Sequence, residues 1–326
     1  MALPRVRIIA TGGTIAGARL PSGTVAPGLA PNELLARIPA AASYAECDVD
    51  PWLQVASSAI GFREMLQLSQ RVTAALADRD VAGIVITHGT ATLEHTAYFL
   101  DVTLNAERPV VLTGAMRNPT LPSDDGPLNL LNAIQVAACE RSRGLGVLVV
   151  MNGTIHCAKD VTKCHSASTA AFQSPEFGPL GAIDEDYVFY ARRPFRRIPG
   201  IMPPAITARV ERIPFVADPS DVLLRAALDA RVDGLVVESG RLSRPHFDLL
   251  KGAVDRGTAV VIANPYHAGR LHRNTYRHEG AEAHLLSAGM IFSGTPGVKA
   301  RVKLTVLLSA GLSHARIREL FHAEWR

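Results

Sequence analysis

The sequence predicts an α/β protein, with a doubly wound parallel sheet in an N-terminal domain and a smaller α/β C-terminal domain. Short apolar runs rich in Val and Ile recur without polar alternation, which is typical of strands buried on both faces of a parallel sheet. Segments with helical periodicity alternate with them, and strand–helix–strand alternation produces right-handed crossovers. At 326 residues the chain is also long for one domain.

The predicted elements follow from these runs in chain order. The strands are predicted at Val6–Ala10, Gly83–Thr87, Pro109–Thr113, Val147–Met151, Gly234–Glu238 and Ala259–Ala263. The helices are predicted at Phe62–Ala77, Leu93–Leu104, Leu128–Ala138 and Asp221–Ala230. The first of these helices carries its apolar residues on one stripe. Ser220 is the expected N-cap of the last one.

A change in composition divides the chain. From about Asp186 to Ala208 it is rich in proline, arginine and aromatic residues, and it shows neither helical nor strand periodicity. We therefore expect an N-terminal domain over residues 1–190, a linker over 191–208 and a C-terminal domain over 209–326. The dense basic run Arg192–Arg197 falls in this linker, and we interpret it as a solvated segment rather than a phosphate-binding patch.

Bulk composition excludes several classes of function. The 34 basic residues exceed the 30 acidic ones only slightly and are mostly scattered arginines, so we expect no nucleic-acid partner. No apolar run reaches the ~18 residues of a membrane span, so we expect no membrane partner. The N-terminal residues lack a charged segment followed by an apolar one, so we expect no signal peptide and a cytoplasmic location. The four cysteines have no metal-site spacing and are too few for a disulfide framework, so we interpret them as reduced thiols.

Candidate site residues, two of them threonines, lie where the predicted strands end. Ligands of doubly wound sheets bind beyond the carboxyl ends of the strands, and Thr14, Thr90, Ala115 and Asn152 all occupy such ends. Thr14 follows two glycines in a turn after the first strand. A threonine hydroxyl is a poor nucleophile until a base removes its proton. Lys163 is the candidate base together with Thr90, because a lysine in a dry site has its neutral form favoured. Only five of the 34 basic residues are lysines.

Cofactor and metal sites are not indicated. The glycine turn after the first strand does not match a dinucleotide or Walker fingerprint, and no acidic ribose partner follows it. Four histidines of the C-terminal region have spacings that fit no common zinc site, and we interpret them as solvated loop residues. They are His267, His272, His278 and His284. We therefore expect neither a cofactor nor a metal ion.

Four ordered motifs carry a resemblance that spans essentially the whole chain. They are Ala10–Gly17, Ile86–Thr92, Gly114–Arg117 together with Ser123–Pro127, and Asp160–Lys163. Their order and spacing resemble those of bacterial L-asparaginases and glutaminase-asparaginases, and Lys299–Val302 resembles a string near the C-terminus of the same family. The resemblance implies a catalytic parallel-sheet N-domain, a smaller C-domain and a homotetramer of intimate dimers, with sites at subunit interfaces.

The resemblance also implies roles for single residues. Thr14 resembles the acylated nucleophile, and Thr90 resembles the second threonine, which is linked to Lys163. The backbone amides around the two threonines would then be the oxyanion donors, because they are fixed dipoles where negative charge develops.

Five further residues are implied in binding the substrate. Ser57 resembles the serine that holds the α-carboxylate, with Ser58 as the alternative register. The Ala115 carbonyl resembles the acceptor for the side-chain amide. Gly89 and Ala91 belong to the loop that faces the substrate.

The sequence departs from the family pattern at three places. Ala91 stands where the family has an aspartate that binds the substrate's α-ammonium group. Arg19–Gly28 holds no tyrosine, and Thr24 or Val25 takes its place. Glu238–Leu242 replaces the family's Gly-Asn-Gly segment, and the arginine within it is either a surface residue or a contact for an anionic substrate group.

These features predict an amidohydrolase that hydrolyses a small-molecule carboxamide through an acyl-threonine intermediate. Loss of a charge-assisted contact worth ~1.5–3 kcal/mol predicts a substrate preference altered from L-asparagine. The alternative is a non-catalytic or weakly active family member that binds a small amide or acid.

Overall fold

The computed structural model describes residues 2–194 and 198–324. The chain forms two compact units, Met1–Arg197 and Ile198–Arg326. Residues 195–197 of the predicted linker and of its basic run lie outside the described part. The domain and linker boundaries drawn from the sequence stay a prediction. Among the described residues, no helix is long and apolar enough to cross a membrane.

The strands of the first unit lie mainly in one eight-stranded sheet, in the order β12-β11-β8-β7-β6-β5-β1-β4. Two short pairs, β2 with β3 and β9 with β10, stand apart from it. The strands are β1 Arg5–Gly12, β2 Gly17–Arg19, β3 Val25–Pro27, β4 Glu46–Val55, β5 Val81–Thr87, β6 Val110–Thr113, β7 Val147–Met151, β8 Thr154–Cys157, β9 Thr162–Lys163, β10 Phe172–Gln173, β11 Gly181–Asp184 and β12 Tyr187–Tyr190.

The helices of this unit cover both faces of the sheet. The α-helices are α1 Pro31–Ala36, α2 Phe62–Ala77, α3 Leu93–Thr103 and α4 Gly126–Ala138. Four 3₁₀ turns lie at Thr14–Ala16, Pro39–Ser43, Ser57–Ala59 and Glu140–Ser142. Helices α2 and α3 pack on one apolar core, and α1 and α4 pack on a second core on the opposite face. The predicted doubly wound arrangement is therefore confirmed.

The parallel part of the sheet agrees with the sequence, but its two edges do not follow from it. Strands β4, β1, β5, β6 and β7 pair in parallel, whereas β8, β11 and β12 continue the sheet antiparallel. Strand β4 was not predicted, because polar residues alternate along it and Pro51 interrupts it. A proline is tolerated there because β4 is an edge strand.

One expectation for the region after residue 186 is wrong, and a second holds only in part, since Arg193 is exposed. Tyr187–Tyr190 forms strand β12, although no strand periodicity is visible in that segment. Arg192, in the described part of the basic run, is anchored and not simply solvated. Its guanidinium lies 3.2 Å from the Asp160 carboxylate and donates a 3.0 Å hydrogen bond to the Pro179 carbonyl.

The second unit is a smaller α/β layer around a four-stranded parallel sheet in the order β13-β14-β15-β16. Its strands are β13 Val210–Pro214, β14 Gly234–Glu238, β15 Ala259–Ala263 and β16 Ile291–Phe292. Its helices are α5 Val222–Asp229, α6 Arg244–Asp255, α7 Glu282–Ser287, α8 Gly297–Ser309 and α9 His314–Ala323. The predicted smaller α/β domain is confirmed as a fold class.

Two local predictions in the second unit need correction. Helix α5 starts one residue later than predicted, so its N-cap is Asp221; the Ser220 hydroxyl accepts a 3.2 Å hydrogen bond from the Val222 amide. His284 is not a solvated loop residue but part of α7. Its ring stacks on Phe247, with centroids 4.1 Å apart.

Candidate active site

The site lies where β1 and β5 end, because glycines let two loops meet there. Gly12 and Gly13 have φ angles of 96° and 81°, which favour glycine. A Cβ on Gly13 would overlap the backbone of Gly89. A Cβ on Gly89 would in turn lie 2.8 Å from the Ser57 hydroxyl. Three separate loops are therefore in backbone or near-backbone contact at this edge of the sheet.

Thr14 opens the 3₁₀ turn that follows these glycines. The Gly13 amide donates a 3.0 Å hydrogen bond to the Val55 carbonyl, and the Ala16 amide donates one of 3.1 Å to the Gly13 carbonyl. The turn is thus held at both ends by backbone hydrogen bonds. Because the Gly13 amide is already engaged, it is not an oxyanion donor.

The second loop is fixed by a buried histidine. Burial lowers the pKa of His88 to about 4, so the ring is neutral near pH 7. Its Nδ1 donates to the Gly89 carbonyl at 2.8 Å, and its Nε2 accepts from the Thr96 hydroxyl at 3.0 Å. His88 therefore holds the loop backbone and is not placed to exchange protons. The Thr92 hydroxyl adds a 2.8 Å bond to the Ser57 carbonyl.

Lys163 and Thr90 meet although 73 residues separate them. The Nζ atom of Lys163 lies 2.8 Å from Thr90 Oγ1 and donates to it when charged. Burial lowers the pKa of Lys163, and the nearby carboxylate of Glu94 opposes that shift. A neutral Lys163 reverses the hydrogen bond and accepts the threonine proton. This is the arrangement that a general base requires.

A cavity of about 390 Å³ opens between these loops. Six of the site residues predicted from the sequence line this cavity: Thr14, Ser57, Ser58, Gly89, Thr90 and Ala91. Its thirteen lining residues are Gly13, Thr14, Gly17, Val25, Ala26, Pro27, Ala56, Ser57, Ser58, Gly89, Thr90, Ala91 and Asn118. None of these thirteen carries a charged side chain.

Two predicted residues lie outside the cavity wall. Lys163 reaches the site through its contact with Thr90. Ala115 is fully buried, and the adjoining amides of Met116 and Arg117 bind the Asp125 carboxylate at 2.8–3.1 Å. The adjacent Gly114 lies against the second loop, since a Cβ there would be 2.5 Å from the His88 carbonyl and 3.4 Å from Thr90 Cγ2. The role of the Ala115 carbonyl stays a prediction.

Asn118 is a lining residue that the sequence analysis missed. Its Oδ1 accepts hydrogen bonds from the Thr120 amide and hydroxyl at 2.9 and 2.7 Å. The amide nitrogen of Asn118 is then the part of the side chain that is suited to bind a ligand. The sequence signal for this residue is an Asn-Pro turn dipeptide between the motifs Gly114–Arg117 and Ser123–Pro127.

Val25, on β3, occupies the cavity wall, whereas Thr24 pairs with the Ser22 hydroxyl at 2.8 Å. Between the two residues considered for the place of the missing tyrosine, Val25 is therefore the one that faces a ligand. In the second unit, the Arg241 guanidinium lies 4.1 Å from the centroid of the Tyr276 ring. Within its own unit Arg241 is a surface arginine.

No metal-binding cluster of three or more His, Cys, Asp or Glu side chains occurs among the described residues. The polar groups of the cavity wall are hydroxyls, backbone amides and one carboxamide. They are suited to bind and polarise a neutral amide and, at most, a carboxylate.

Comparisons with known proteins agree with this geometry. Residues 5–196 match the family model described as Asparaginase, N-terminal, and residues 209–321 match the Glutaminase/Asparaginase C-terminal domain. L-asparaginase 2 of Escherichia coli is 35% identical over 99% of this chain and 94% of its own length. A probable periplasmic L-asparaginase of Haemophilus influenzae is 36% identical over 98% of this chain and 93% of its own length. A glutaminase-asparaginase of Pseudomonas fluorescens is 43% identical over 60% of this chain and 55% of its own length.

Proposed function

This chain belongs to the asparaginase family, and we propose that its substrate is a small carboxamide without a free α-ammonium group. Family membership makes it an amidohydrolase that acts on the C–N bond of non-peptide amides. The substrate itself is the proposed part.

The observation that carries this proposal is Ala91, in an uncharged cavity wall as far as this chain supplies it. A bound α-ammonium group loses its water and needs a carboxylate in return, because an unpaired buried charge is costly. Ala91 offers a methyl group at the position where the family pattern has the aspartate. Glu94, the carboxylate that acts on Lys163, is not among the lining residues. Asparagine is therefore a poor fit, and the same molecule without its amino group is a good one.

The catalytic roles follow from the Lys163–Thr90 contact. Thr14 Oγ1 attacks the amide carbon, and its proton passes to the base system of Thr90 and neutral Lys163. The C–N bond breaks, ammonia or an amine takes up a proton and leaves, and Thr14 holds the acyl group as an ester. Water then hydrolyses the ester and restores the threonine. The backbone amides of Thr14 and of the loop at Thr90 are the proposed oxyanion donors.

Three substrate classes fit this wall. They are a dicarboxylic acid monoamide, an N-substituted amide, and a cyclic amide or imide. A carboxylate on such a substrate would accept hydrogen bonds from the hydroxyls of Ser57 and Ser58, both of which line the cavity. Asn118 would then contact the amide end or the ring.

The alternative is a protein that binds a small amide or acid without turning it over. The replaced aspartate and the valine at position 25 favour it, because both remove groups expected to assist a substrate. The 2.8 Å contact between Lys163 and Thr90 favours the hydrolase, since binding alone has no need of a base.

An ammonia-release screen distinguishes the two. We expect turnover of succinamic acid, which is asparagine without its α-amino group, and weak turnover of asparagine and glutamine. Succinimide, which opens without releasing ammonia, is followed by the loss of its ring absorbance. Silence across all these substrates would remove the enzyme hypothesis.

Mass spectrometry of acid-quenched enzyme supplies the second readout. We expect an acyl adduct on Thr14 with any substrate that is turned over, and none in Thr14→Val. A protein that only binds forms no adduct with the wild-type chain either.

We also infer a homodimer or homotetramer with sites at subunit interfaces, and a cytoplasmic location. The resemblance of the motifs supports the assembly, and light scattering of the purified protein tests it. The Haemophilus influenzae relative is named as periplasmic, so cell fractionation is needed for the location.

A further inference from the structure

A second cavity, of about 200 Å³, lies behind the Thr14 turn within the first unit. The ends of β1, β4 and β5 form its floor, and the segment that leads into α1 covers it. Leu29, Leu34, Pro51 and Leu53 supply much of its apolar lining. None of its described lining residues is Asp, Glu, Lys, Arg or His.

The turn that carries Thr14 is the wall between the two cavities. Gly12 and Ala16 line the second cavity, whereas Gly13, Thr14 and Gly17 line the first. Neighbouring residues of the segment 12–17 therefore line two different cavities. A molecule in the second cavity would press on the backbone that positions Thr14.

The same segment ties both cavities to the β2–β3 hairpin. The Ala16 carbonyl accepts hydrogen bonds from the amides of Gly28, at 2.7 Å, and Leu29, at 2.9 Å. Leu29 lines the second cavity, while Val25 of the same hairpin lines the first. The Leu29 amide thus links the lining of the second cavity to Ala16 directly, and the Gly28 amide adds a second hydrogen bond to the same carbonyl.

The Thr87 side chain brings a hydroxyl group without a hydrogen-bond partner among the described residues to the second cavity. Thr87, at the end of β5, is 1% exposed, and its Oγ1 has no hydrogen-bond partner among the described residues. Its carbonyl, by contrast, accepts a 2.8 Å bond from Thr11 Oγ1. Most buried hydroxyls are hydrogen-bonded, so each exception calls for an explanation.

Two other lining residues carry polar groups, the indole N–H of Trp52 and the side-chain amide of Gln54. The Nε2 atom of Gln54 donates a 3.2 Å hydrogen bond to the Leu29 carbonyl. The lining thus combines mainly apolar side chains with a few polar groups, and among these Thr87 Oγ1 is the one that is buried without a partner among the described residues. Apolar cavities of about 150 Å³ bind benzene-sized molecules, so this one is large enough for a ring of that size with one substituent.

We propose that this second cavity binds a small, uncharged, mainly apolar molecule whose single hydroxyl group pairs with Thr87 Oγ1. The occupant contacts the side of the Thr14 turn that Gly12 and Ala16 line, and it is distinct from the amide substrate. A charged occupant is excluded because the described lining offers it no ionic partner. Its size is limited to roughly a substituted six-membered ring.

Phenol and toluene test this proposal, because they have nearly the same shape and differ in the hydroxyl group. We expect phenol to bind at one saturable site by calorimetry, more tightly than toluene. Thr87→Val should lower the phenol affinity about tenfold and leave that of toluene unchanged. This variant replaces an unpartnered hydroxyl by a methyl group of equal size, so we expect it to fold.

A matched pair of variants locates the site. Leu29→Phe fills the second cavity and should abolish binding of phenol and toluene. Val25→Phe fills the first cavity and should leave the affinity for both probes unchanged. Binding that survives Leu29→Phe, or that is lost in Val25→Phe, would overturn the proposal, as would the absence of saturable binding. Because the readout is binding and not turnover, its failure is separate from a failure of the proposed hydrolase activity.

Discussion

At the scale of single residues, the protonation of Lys163 is set by two opposed influences. Burial lowers its pKa, and the carboxylate of Glu94 raises it. The Glu94 Oε1 atom lies 3.4 Å from the Lys163 amide, so the carboxylate is held beside the strand that carries the lysine. The charge at position 94 therefore controls how much of the base form exists near neutral pH.

Glu94→Gln removes that charge and keeps the shape of the side chain. The pKa of Lys163 should fall further, because one of the two influences is lost and burial remains. The neutral lysine is the active base and is populated above its pKa, so the acidic limb of the kcat/KM profile should move to lower pH. Rates measured between pH 5 and 9 on the best substrate check this direction.

Glu94→Asp is the matched control, since it keeps a charge near Lys163 and should leave the acidic limb closer to its wild-type position. A move of the limb to higher pH in Glu94→Gln would contradict the assignment of Lys163 as the base.

At the scale of elements, the site exists because glycine backbones at the ends of β1 and β5 touch. Gly13 adopts a φ of 81°, and a Cβ there would overlap the backbone of Gly89. Gly23, in the loop between β2 and β3, has a φ of 84° and open space around its missing Cβ. These two glycines share a positive φ and differ in their surroundings.

Gly13→Ala should therefore cost more than Gly23→Ala. A positive φ costs either alanine variant about 1 kcal/mol of unfolding free energy or more, and Gly13→Ala adds the displacement of the second loop. Because a displacement of about 1 Å reduces catalysis by about 100-fold, we expect at least that loss of kcat/KM for Gly13→Ala.

Urea unfolding and substrate kinetics on the two variants check this difference. Equal losses of stability and activity in both would show that the contact between the loops at Gly13 and Gly89 is unimportant.

In the second unit, helix α8 is fixed to the C-terminal segment by a buried ion pair. Lys303 is fully buried, and its Nζ lies 2.9 Å from both the Glu324 carboxylate and the Leu320 carbonyl. The same ammonium lies 4.5 Å from the centroid of the Phe321 ring. Removing one partner of a buried pair leaves a charge without compensation.

Lys303→Met should lower the free energy of unfolding by about 3 kcal/mol, because it leaves the Glu324 carboxylate buried. Adding Glu324→Leu should restore most of the loss. Lys251→Met, which breaks an exposed pair with Asp255, should cost less than about 1 kcal/mol. Urea denaturation of the three variants checks the order, and a double variant less stable than Lys303→Met would contradict it.

At the scale of the whole molecule, the sequence predicts the buried parallel strands well. Strand Val147–Met151 is observed with the predicted bounds, because an uninterrupted apolar run is stable only in the buried centre of the sheet. Helix Phe62–Ala77 also has the predicted bounds, because its apolar stripe faces one core. Strand β4 and the antiparallel strands β8, β11 and β12 were not predictable. They are short or polar, and their pairing partners are set by the rest of the sheet.

The candidate site follows from the sequence only in part. Strand-end position places Thr14 and Thr90 at one edge, but the link between Thr90 and Lys163 rests on family resemblance, since no local spacing indicates a contact across 73 residues. The Asn-Pro dipeptide indicates a turn at Asn118, but the place of Asn118 in the cavity wall and the cavity behind the Thr14 turn are visible only in the structure. Each depends on loops whose paths are set by backbone hydrogen bonds, such as those at Ala16.

The most direct measurement of the central claim is the kcat/KM of wild type, Ala91→Asp and Ala91→Asn for L-asparagine and succinamic acid. We predict that wild type prefers succinamic acid. Ala91→Asp should raise kcat/KM for asparagine by about 10- to 100-fold, because a carboxylate regains its charge-assisted contact with the ammonium group. The neutral Ala91→Asn should not. Wild type that prefers asparagine, with no gain in Ala91→Asp, would contradict the account.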